Sequence, residues 1–139
     1  MFTLILSPAK VNVLVVGGGA LSLWSIKLAQ HLLGRDCSNV RVYVADNSID
    51  RLMTAQDHGC SDIIYWNEED HEQYIVERTM DSCRGGADVI IDFVGSHRTM
   101  QRSLKCLNRV SIFLVLDIFC IIFWKIPSTV KWISELFSI

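Results

Sequence analysis

The sequence predicts an α/β fold: a doubly wound parallel sheet of about five strands with helices on both faces. Three observations predict it. Apolar, β-branched runs such as Val13-Leu14-Val15-Val16 and Val89-Ile90-Ile91 recur along the chain, the pattern of strands buried on both faces of a sheet. Each run is followed by a stretch of helical character, and that alternation implies parallel pairing through right-handed crossovers. A glycine triplet, Gly17-Gly18-Gly19, separates the first strand from the first helix.

The stretch from Val11 to Leu33 organises the rest. Val11 to Val16 is the strand, and Leu21, Trp24 or Ser25, Leu28 and Leu32 fall at helical spacing, so an amphipathic helix follows. The glycines allow a tight turn and a close backbone approach, while the first helical N–H groups point outward. Those donors and the helix dipole make an anion site suited to a pyrophosphate. Against the dinucleotide fingerprint G-x-G-x-x-G, Gly17 and Gly19 fill the first two positions and Ser22 stands at the third. Close helix–strand packing favours no side chain there, and serine is small enough to be tolerated.

The remaining elements follow in order. Residues 1–10 are a lead-in broken by Ser7-Pro8. Gly34 suits the position just past the first helix, and Arg35 to Asn39 is a polar loop. Val40 to Ala45 is a second strand ending on Asp46, and Asn47 or Ser48 can cap a helix carrying Ile49, Leu52, Met53 and Gln56. Asp62 to Trp66 is a short third strand. Asn67 and the acids Glu68-Glu69-Asp70 suit the first turn of a third helix running to about Cys83, as a solvated helix start. Arg84-Gly85-Gly86 turns the chain into a fourth strand, Ala87 to Val94, and Gly95-Ser96 opens a helix through Leu107. Asn108 to Leu116 is a fifth strand, which closes a domain over 11–116.

Composition bounds what such a domain does. The chain has 139 residues, 50% hydrophobic and 20% charged, enough for one domain with a core. A formal net charge of −2 gives no basis for nucleic-acid binding or an anionic membrane partner. The apolar patch at Met1 to Leu6 is too short for a secretory signal, so a reducing, cytoplasmic setting is expected. Of the five cysteines, Cys37, Cys60, Cys83 and Cys106 recur every 23 residues, the rhythm of β–α units. Each falls near a predicted helix end, and without a C-x-x-C pair or a Cys/His cluster they read as structural thiols.

Asp46 is the second informative residue. It closes the second strand 29 positions after Gly17, against a usual gap of about 20, and the polar loop at 35–39 accounts for part of the excess. A carboxylate there can accept both hydroxyls of an adenosine ribose and repels a 2′-phosphate, which favours NAD over NADP. Arg51, one helical turn further on, argues the other way because it could face a phosphate. The plain alternative for Asp46 is a helix cap.

Together, Val13 to Gly19, Ile26 to Ala29, Asp46, and Ala87-Asp88-Val89-Ile90-Ile91-Asp92-Phe93-Val94-Gly95-Ser96 with Thr99-Met100 and Leu104 to Leu107 resemble the cofactor domain of the medium-chain, zinc-type alcohol dehydrogenase family. The resemblance spans about Val11 to Leu107 and implies a Rossmann-like fold that binds a nicotinamide dinucleotide. It implies that Gly17, Gly19, Ala20 and Leu21 line the pyrophosphate and that Asp46 and Arg51 hold the adenosine ribose. Phe93, Val94 and Gly95 would then pass beside the cofactor. In complete relatives it implies hydride transfer between nicotinamide and an alcohol, aldehyde or ketone. Possible associations are a homo-oligomer or a larger dehydrogenase subunit.

Departures from the family pattern shape the expectation. Only ten residues precede the first strand, so the catalytic domain of family members has no counterpart here, and no zinc is expected in this chain. The isolated chain should bind cofactor without turnover, as a truncated or alternative product. Residues 117–139 form a divergent apolar tail. Val110 to Trp124 is shorter than a spanning helix needs and is broken by Asp117, so a buried strand plus a displaced apolar segment is expected. Ser128 could cap a last short helix with Val130, Ile133, Leu136 and Phe137. His97 lies near Gly95-Ser96, where it could relay a proton, though a lone histidine in a helix-start loop is more often merely exposed. His31, His58 and His71 read as surface residues. Two readings compete with the dehydrogenase domain: a non-catalytic nucleotide- or partner-binding module, and an S-adenosylmethionine-dependent methyltransferase.

Overall fold

The computed structural model describes residues 10–32, 40–116, 120–126 and 129–131. Strands β1 (Val11–Val16), β2 (Val40–Asp46), β3 (Asp62–Tyr65), β4 (Ala87–Asp92) and β5 (Leu107–Leu116) are all parallel. Helices α1 (Ala20–Leu32), α2 (Ile49–Asp57), α3 (Glu72–Ser82) and α4 (His97–Lys105) connect them. Strands β6 (Cys120–Ile126) and β7 (Thr129–Lys131) add on antiparallel, giving the order β3-β2-β1-β4-β5-β6-β7. The expected α/β sheet with five parallel strands is therefore present.

Strand β1 runs down the middle, paired with β2 on one side and β4 on the other. The order reverses between these neighbours, and such a switch point opens a crevice at the carboxyl ends of the strands. The helices divide over two faces, α1 and α2 on one and α3 and α4 on the other, the arrangement that right-handed crossovers give for this strand order. One core joins Val13, Val15, Val42 and Val44 to Ile26 of α1 and to Leu52 and Ala55 of α2. The other joins Leu14, Val16, Tyr43 and Ile90 to Ile75 of α3 and to Trp66, Cys83 and Cys106. Leu14, Ile26, Leu52, Ile64, Ile75 and Ile90 are each at most 1% exposed, and each contributes roughly 1.5–3 kcal/mol by burial.

Several local expectations need correction. Helix α1 buries Ser22 and Ile26, with Leu23 and Ala29 partly covered, whereas Leu21, Trp24 and Leu28 are exposed. The small Ser22 next to the glycine turn is what lets that flank approach the sheet. In α2 the inward residues are Leu52 and Ala55, with Ile49 and Met53 exposed. Helix α3 begins at Glu72, capped by His71, whose Nδ1 accepts from the Gln73 amide at 3.3 Å. The acids before it sit in a turn, because the Asn67 side chain accepts the Glu69 amide and its carbonyl accepts that of Asp70. Strand β4 stops at Asp92 rather than Val94. Thr129–Lys131 is a strand, not the start of a helix; residues 132–139, Gly34 and Cys37 lie outside the described residues. Cys60 follows α2, while Cys83 and Cys106 cap α3 and α4, as the β–α rhythm predicts. Among the described residues no helix is long and apolar enough to cross a membrane.

Candidate functional site

The glycine turn is stitched to both neighbouring strands. Gly17 N donates to the Ala45 carbonyl at 2.8 Å, and Phe93 N donates to the Val16 carbonyl at 2.9 Å. Gly17 has φ +99°, a conformation that L side chains rarely adopt. The Ser22 hydroxyl donates to the Gly17 carbonyl, and Ser22 is fully buried. Serine at the third fingerprint position therefore closes the turn instead of merely being tolerated. Beyond it, the amides of Gly19, Ala20 and Leu21 head α1, where a helix offers no internal acceptors. Gly19, Ala20 and Leu21 are exposed, so this helix start is open to an anion.

Gly18 is the tightest point. Its amide donates to Asp46 Oδ2 at 2.6 Å. A Cβ there would stand 2.9 Å from Arg51 Cβ and 3.3 Å from Asp46 Oδ2, whereas one on Gly19 would meet nothing within 4 Å. Asp46 Oδ1 accepts the Ser48 amide at 2.8 Å, so the carboxylate clips the glycine turn to the start of α2. Ser48 itself makes no side-chain cap. The Asp46 side chain is 3% exposed, while Arg51 is 62% exposed with Nη1 3.8 Å from Asp46 Oδ2.

A second carboxylate organises the turn after β4. Asp92 is fully buried. Its Oδ1 accepts the amides of Val94 and Gly95 at 2.9 and 3.0 Å, and its Oδ2 accepts the Thr99 hydroxyl at 2.8 Å. Ser96 caps α4 by accepting the Thr99 amide. This turn presses Val94 against the first glycine, since a Cβ on Gly17 would meet Val94 Cγ2 at 3.1 Å.

Between the two turns lies a cleft of about 320 Å³. One side carries Gly17, Asp46, Asn47 and Arg51, and the other Val94, Ser96 and Thr99. Its inner wall is Trp66 backed by Arg102, each 3% exposed. The Arg102 guanidinium lies 4.7 Å from the Trp66 ring centre. It also makes two 2.7 Å hydrogen bonds to Glu72, while Trp66 Nε1 donates to Thr79 Oγ1 at 2.9 Å. Hydrogen bonding from Arg102 holds the Glu72 carboxyl below its ordinary value, and the charges of Arg102 and Arg98 act the same way. Glu68 and Arg98 complete the lining.

The structure thus brings Gly17, Asp46, Arg51 and Val94 onto one cleft. Phe93 and Gly95 flank Val94, and Gly19, Ala20 and Leu21 lie beside the cleft at the helix start. Sequence reasoning missed Gly18, Glu68, Trp66, Arg98 and Arg102. The signal for Glu68 was its place just after β3, and for Arg98 its place in the first turn of α4, because segments that follow parallel strands rim the crevice. His97 is exposed at the first position of α4, outside the cleft lining. His31 is exposed, and His58 and His71 sit at helix ends. Among the described residues no three His, Cys, Asp or Glu side chains stand together as a metal site.

Residues 21–112 match the family model described as zinc-binding dehydrogenase. No curated protein sequence matches. A putative alcohol dehydrogenase from Sinorhizobium meliloti is 26% identical with a TM-score of 0.64, over 80% of this chain and 30% of that one. A zinc-dependent alcohol dehydrogenase 2 from Streptococcus pneumonia is 18% identical with a TM-score of 0.67, over 94% and 34%. The Escherichia coli quinone oxidoreductase, solved in complex with NADPH, is 24% identical with a TM-score of 0.60, over 76% and 29%. The chain therefore spans about a third of the length of these solved structures.

Proposed function

Because this chain belongs to the zinc-binding dehydrogenase family, whose model covers residues 21–112, we propose that it holds a nicotinamide dinucleotide, NAD in preference to NADP, at the carboxyl ends of β1, β2 and β4. The observation that carries this is the Asp46 carboxylate seated 2.6 Å from the Gly18 amide, at the foot of an open helix N-terminus. Gly17, Gly19, Ala20 and Leu21 take the pyrophosphate, where backbone donors and the helix dipole favour negative charge. Asp46 accepts from the adenosine ribose with Arg51 alongside, and Phe93, Val94 and Gly95 border the cofactor as it crosses β4. A 2′-phosphate would meet the Asp46 charge in a buried setting, which disfavours NADP, while the exposed Arg51 softens that preference.

The bound nicotinamide supplies the hydride chemistry, toward an alcohol, aldehyde or ketone in a complete enzyme. This chain's residues bind and orient the cofactor and carry no proton or zinc step. We take 11–116 as the cofactor-binding domain, 117–139 as an added apolar tail, and the protein as cytoplasmic. Thermal shift with NADH, NADPH and S-adenosylmethionine in parallel tests the proposal. NADH should stabilise the protein most, with micromolar affinity and no alcohol turnover by the chain alone. Stabilisation by S-adenosylmethionine without an NADH response would assign a methyltransferase instead.

One observation favours a second reading, a partner-binding module. Leu21, Trp24 and Leu28 form an exposed apolar stripe on α1, each at least 51% exposed. Co-purification with a larger dehydrogenase subunit, lost on Trp24→Lys, would support it.

A further inference from the structure

The crevice described above lies at the carboxyl ends of the strands. A second cavity, of about 360 Å³, lies at their amino ends. The register sets Arg41 beside Asn12, Tyr43 beside Leu14, and Asp62 beside Tyr43, and residues paired in this way or two apart share a face. Tyr43 packs with Ile75 and Cys83, so that face is the one α3 covers. Helix α3 ends at Ser82, and the cavity opens just past it, lined among others by Lys10, Arg41, Tyr43, Asp62, Ser82 and Arg84.

The lining holds three cations against one carboxylate. Lys10, Arg41 and Arg84 form no ion pair among the described residues, and Asp62 already accepts the Ile63 amide at 2.8 Å through Oδ1. Arg84 holds φ +55°, a conformation that favours glycine, so the turn itself gives no reason for an arginine. Nor does the end of α3 call for these charges as caps. The Met80 and Asp81 carbonyls accept the Gly85 and Arg84 amides at 2.9 and 3.1 Å, and the Cys83 carbonyl accepts from Asn12 Nδ2 at 2.9 Å.

Tyr43 is an independent sign of a ligand. It is 4% exposed, and its hydroxyl has no hydrogen-bond partner among the described residues, although burying a hydroxyl unpaired is costly. The fully enclosed side-chain atoms without a partner are Asn12 Oδ1 and Ser103 Oγ. The Tyr43 hydroxyl is therefore not sealed in the core but opens on the cavity that Tyr43 lines.

We propose that this cavity is a second anion site, which takes the phosphate group of a small molecule between Lys10, Arg41 and Arg84 with the Tyr43 hydroxyl donating to it. Guanidinium groups match phosphate oxygens two donors at a time, and a dianion balances the surplus positive charge. The site stands apart from the proposed dinucleotide crevice and does not depend on that reading.

Calorimetric titration of the full chain with inorganic phosphate and with glycerol 3-phosphate tests it, in about 0.15 M salt to screen diffuse attraction. Wild type should bind saturably. Tighter binding of glycerol 3-phosphate assigns an organic monoester, and equal affinities assign the free ion. Arg84→Gly and Tyr43→Phe should each weaken binding about tenfold, the loss of a hydrogen bond to a charged group. Glycine suits φ +55°, so Arg84→Gly should melt no lower than wild type. Absence of saturable binding overturns the proposal. So does binding that either variant retains at full strength, which would put the phosphate elsewhere, such as the start of α1.

Discussion

Alanine substitution at each of the three glycines separates the structural demands of the turn from the fingerprint that announces it. By the fingerprint, Gly18 is the free position between two required glycines. The structure ranks them otherwise. At Gly18 a Cβ would lie 2.9 Å from Arg51 Cβ and 3.4 Å from Arg51 C, against a carbon–carbon optimum of about 3.5–4.0 Å. Backbone cannot swing aside, so α2 must shift, and overpacking of this kind costs about 2 kcal/mol. Gly17→Ala crowds a rotatable Val94 methyl at 3.1 Å, with Phe93 Cβ at an ordinary 3.6 Å, but must hold φ +99°, which also costs about 2 kcal/mol. Gly19→Ala meets nothing within 4 Å and loses only the preference for glycine at a helix cap, about 0.5 kcal/mol. At roughly 4 °C per kcal/mol for a chain this size, Gly17→Ala and Gly18→Ala should lower Tm by about 8 °C and Gly19→Ala by about 2 °C. Calorimetry without ligand reads the ranking directly. A Gly18→Ala protein melting together with Gly19→Ala would refute the packing argument. Gly19→Ala should weaken NADH binding despite its near-native Tm, because that residue faces the proposed pyrophosphate.

Other consequences follow from the buried charges and thiols. Glu72→Gln leaves Arg102 buried without its counter-charge and should cost about 2–3 kcal/mol in urea melts; a loss below about 0.5 kcal/mol would mean that Arg102 is solvated. The Glu72 carboxyl is held below its ordinary 4.5, so its contribution is fully present above that pH and fades as pH falls through the lowered folded value. Wild type should show this extra acid limb in stability against pH, and Glu72→Gln should lack it. Asp46→Asn keeps the shape but can accept only through one oxygen, leaving Gly18 or Ser48 N–H facing an amide. It should cost about 1–3 kcal/mol even without cofactor and narrow the gap between NADH and NADPH affinity. Burial pushes the Cys83 and Cys106 thiols up to about 12, so iodoacetamide at mildly alkaline pH should modify them only as the protein unfolds. Peptide mapping that finds either alkylated at a free-thiol rate in native protein would contradict their burial.

Much of this was legible in the sequence because it is written in local pattern. Apolar runs, the glycine triplet, an acid ending β2 and the Asp88 to Ser96 stretch each occupy consecutive positions, and they pointed to the parallel sheet and to Asp46; the strand order that puts the switch point beside β1 is not written in any of them. The illegible part depended on side-chain contacts between distant segments. The acids at 68–70 suit a helix start electrostatically, yet the Asn67 side chain turns the backbone there and releases Glu68 to the cleft rim. The stripe Leu21, Trp24 and Leu28 has helical period, and period alone does not say which face meets the sheet; the small Ser22 beside the turn decided it. Arg102 reads as one more polar residue on α4 until the fold stacks it on Trp66, 36 positions away, and pairs it with Glu72.

The two sequence readings of Asp46, ribose acceptor and helix cap, are not rivals in this geometry. One oxygen takes Ser48 N and so starts α2; the other takes Gly18 N and draws the glycine turn against β2. A carboxylate spent on two amides still has lone pairs to accept the sugar hydroxyls of the proposed nucleotide, and burial has already desolvated it. The cost of burying that charge is met by the fold through the two amides, so it need not be met again when a nucleotide arrives. Binding then has little left to organise, since preordering the site removes part of the entropy that association otherwise loses. The same arrangement explains why the turn tolerates serine at the third fingerprint position. With Asp46 holding the turn from the β2 side and the Ser22 hydroxyl holding the Gly17 carbonyl from the helix side, the bend is clamped at both ends, and a missing glycine at its far end no longer loosens it.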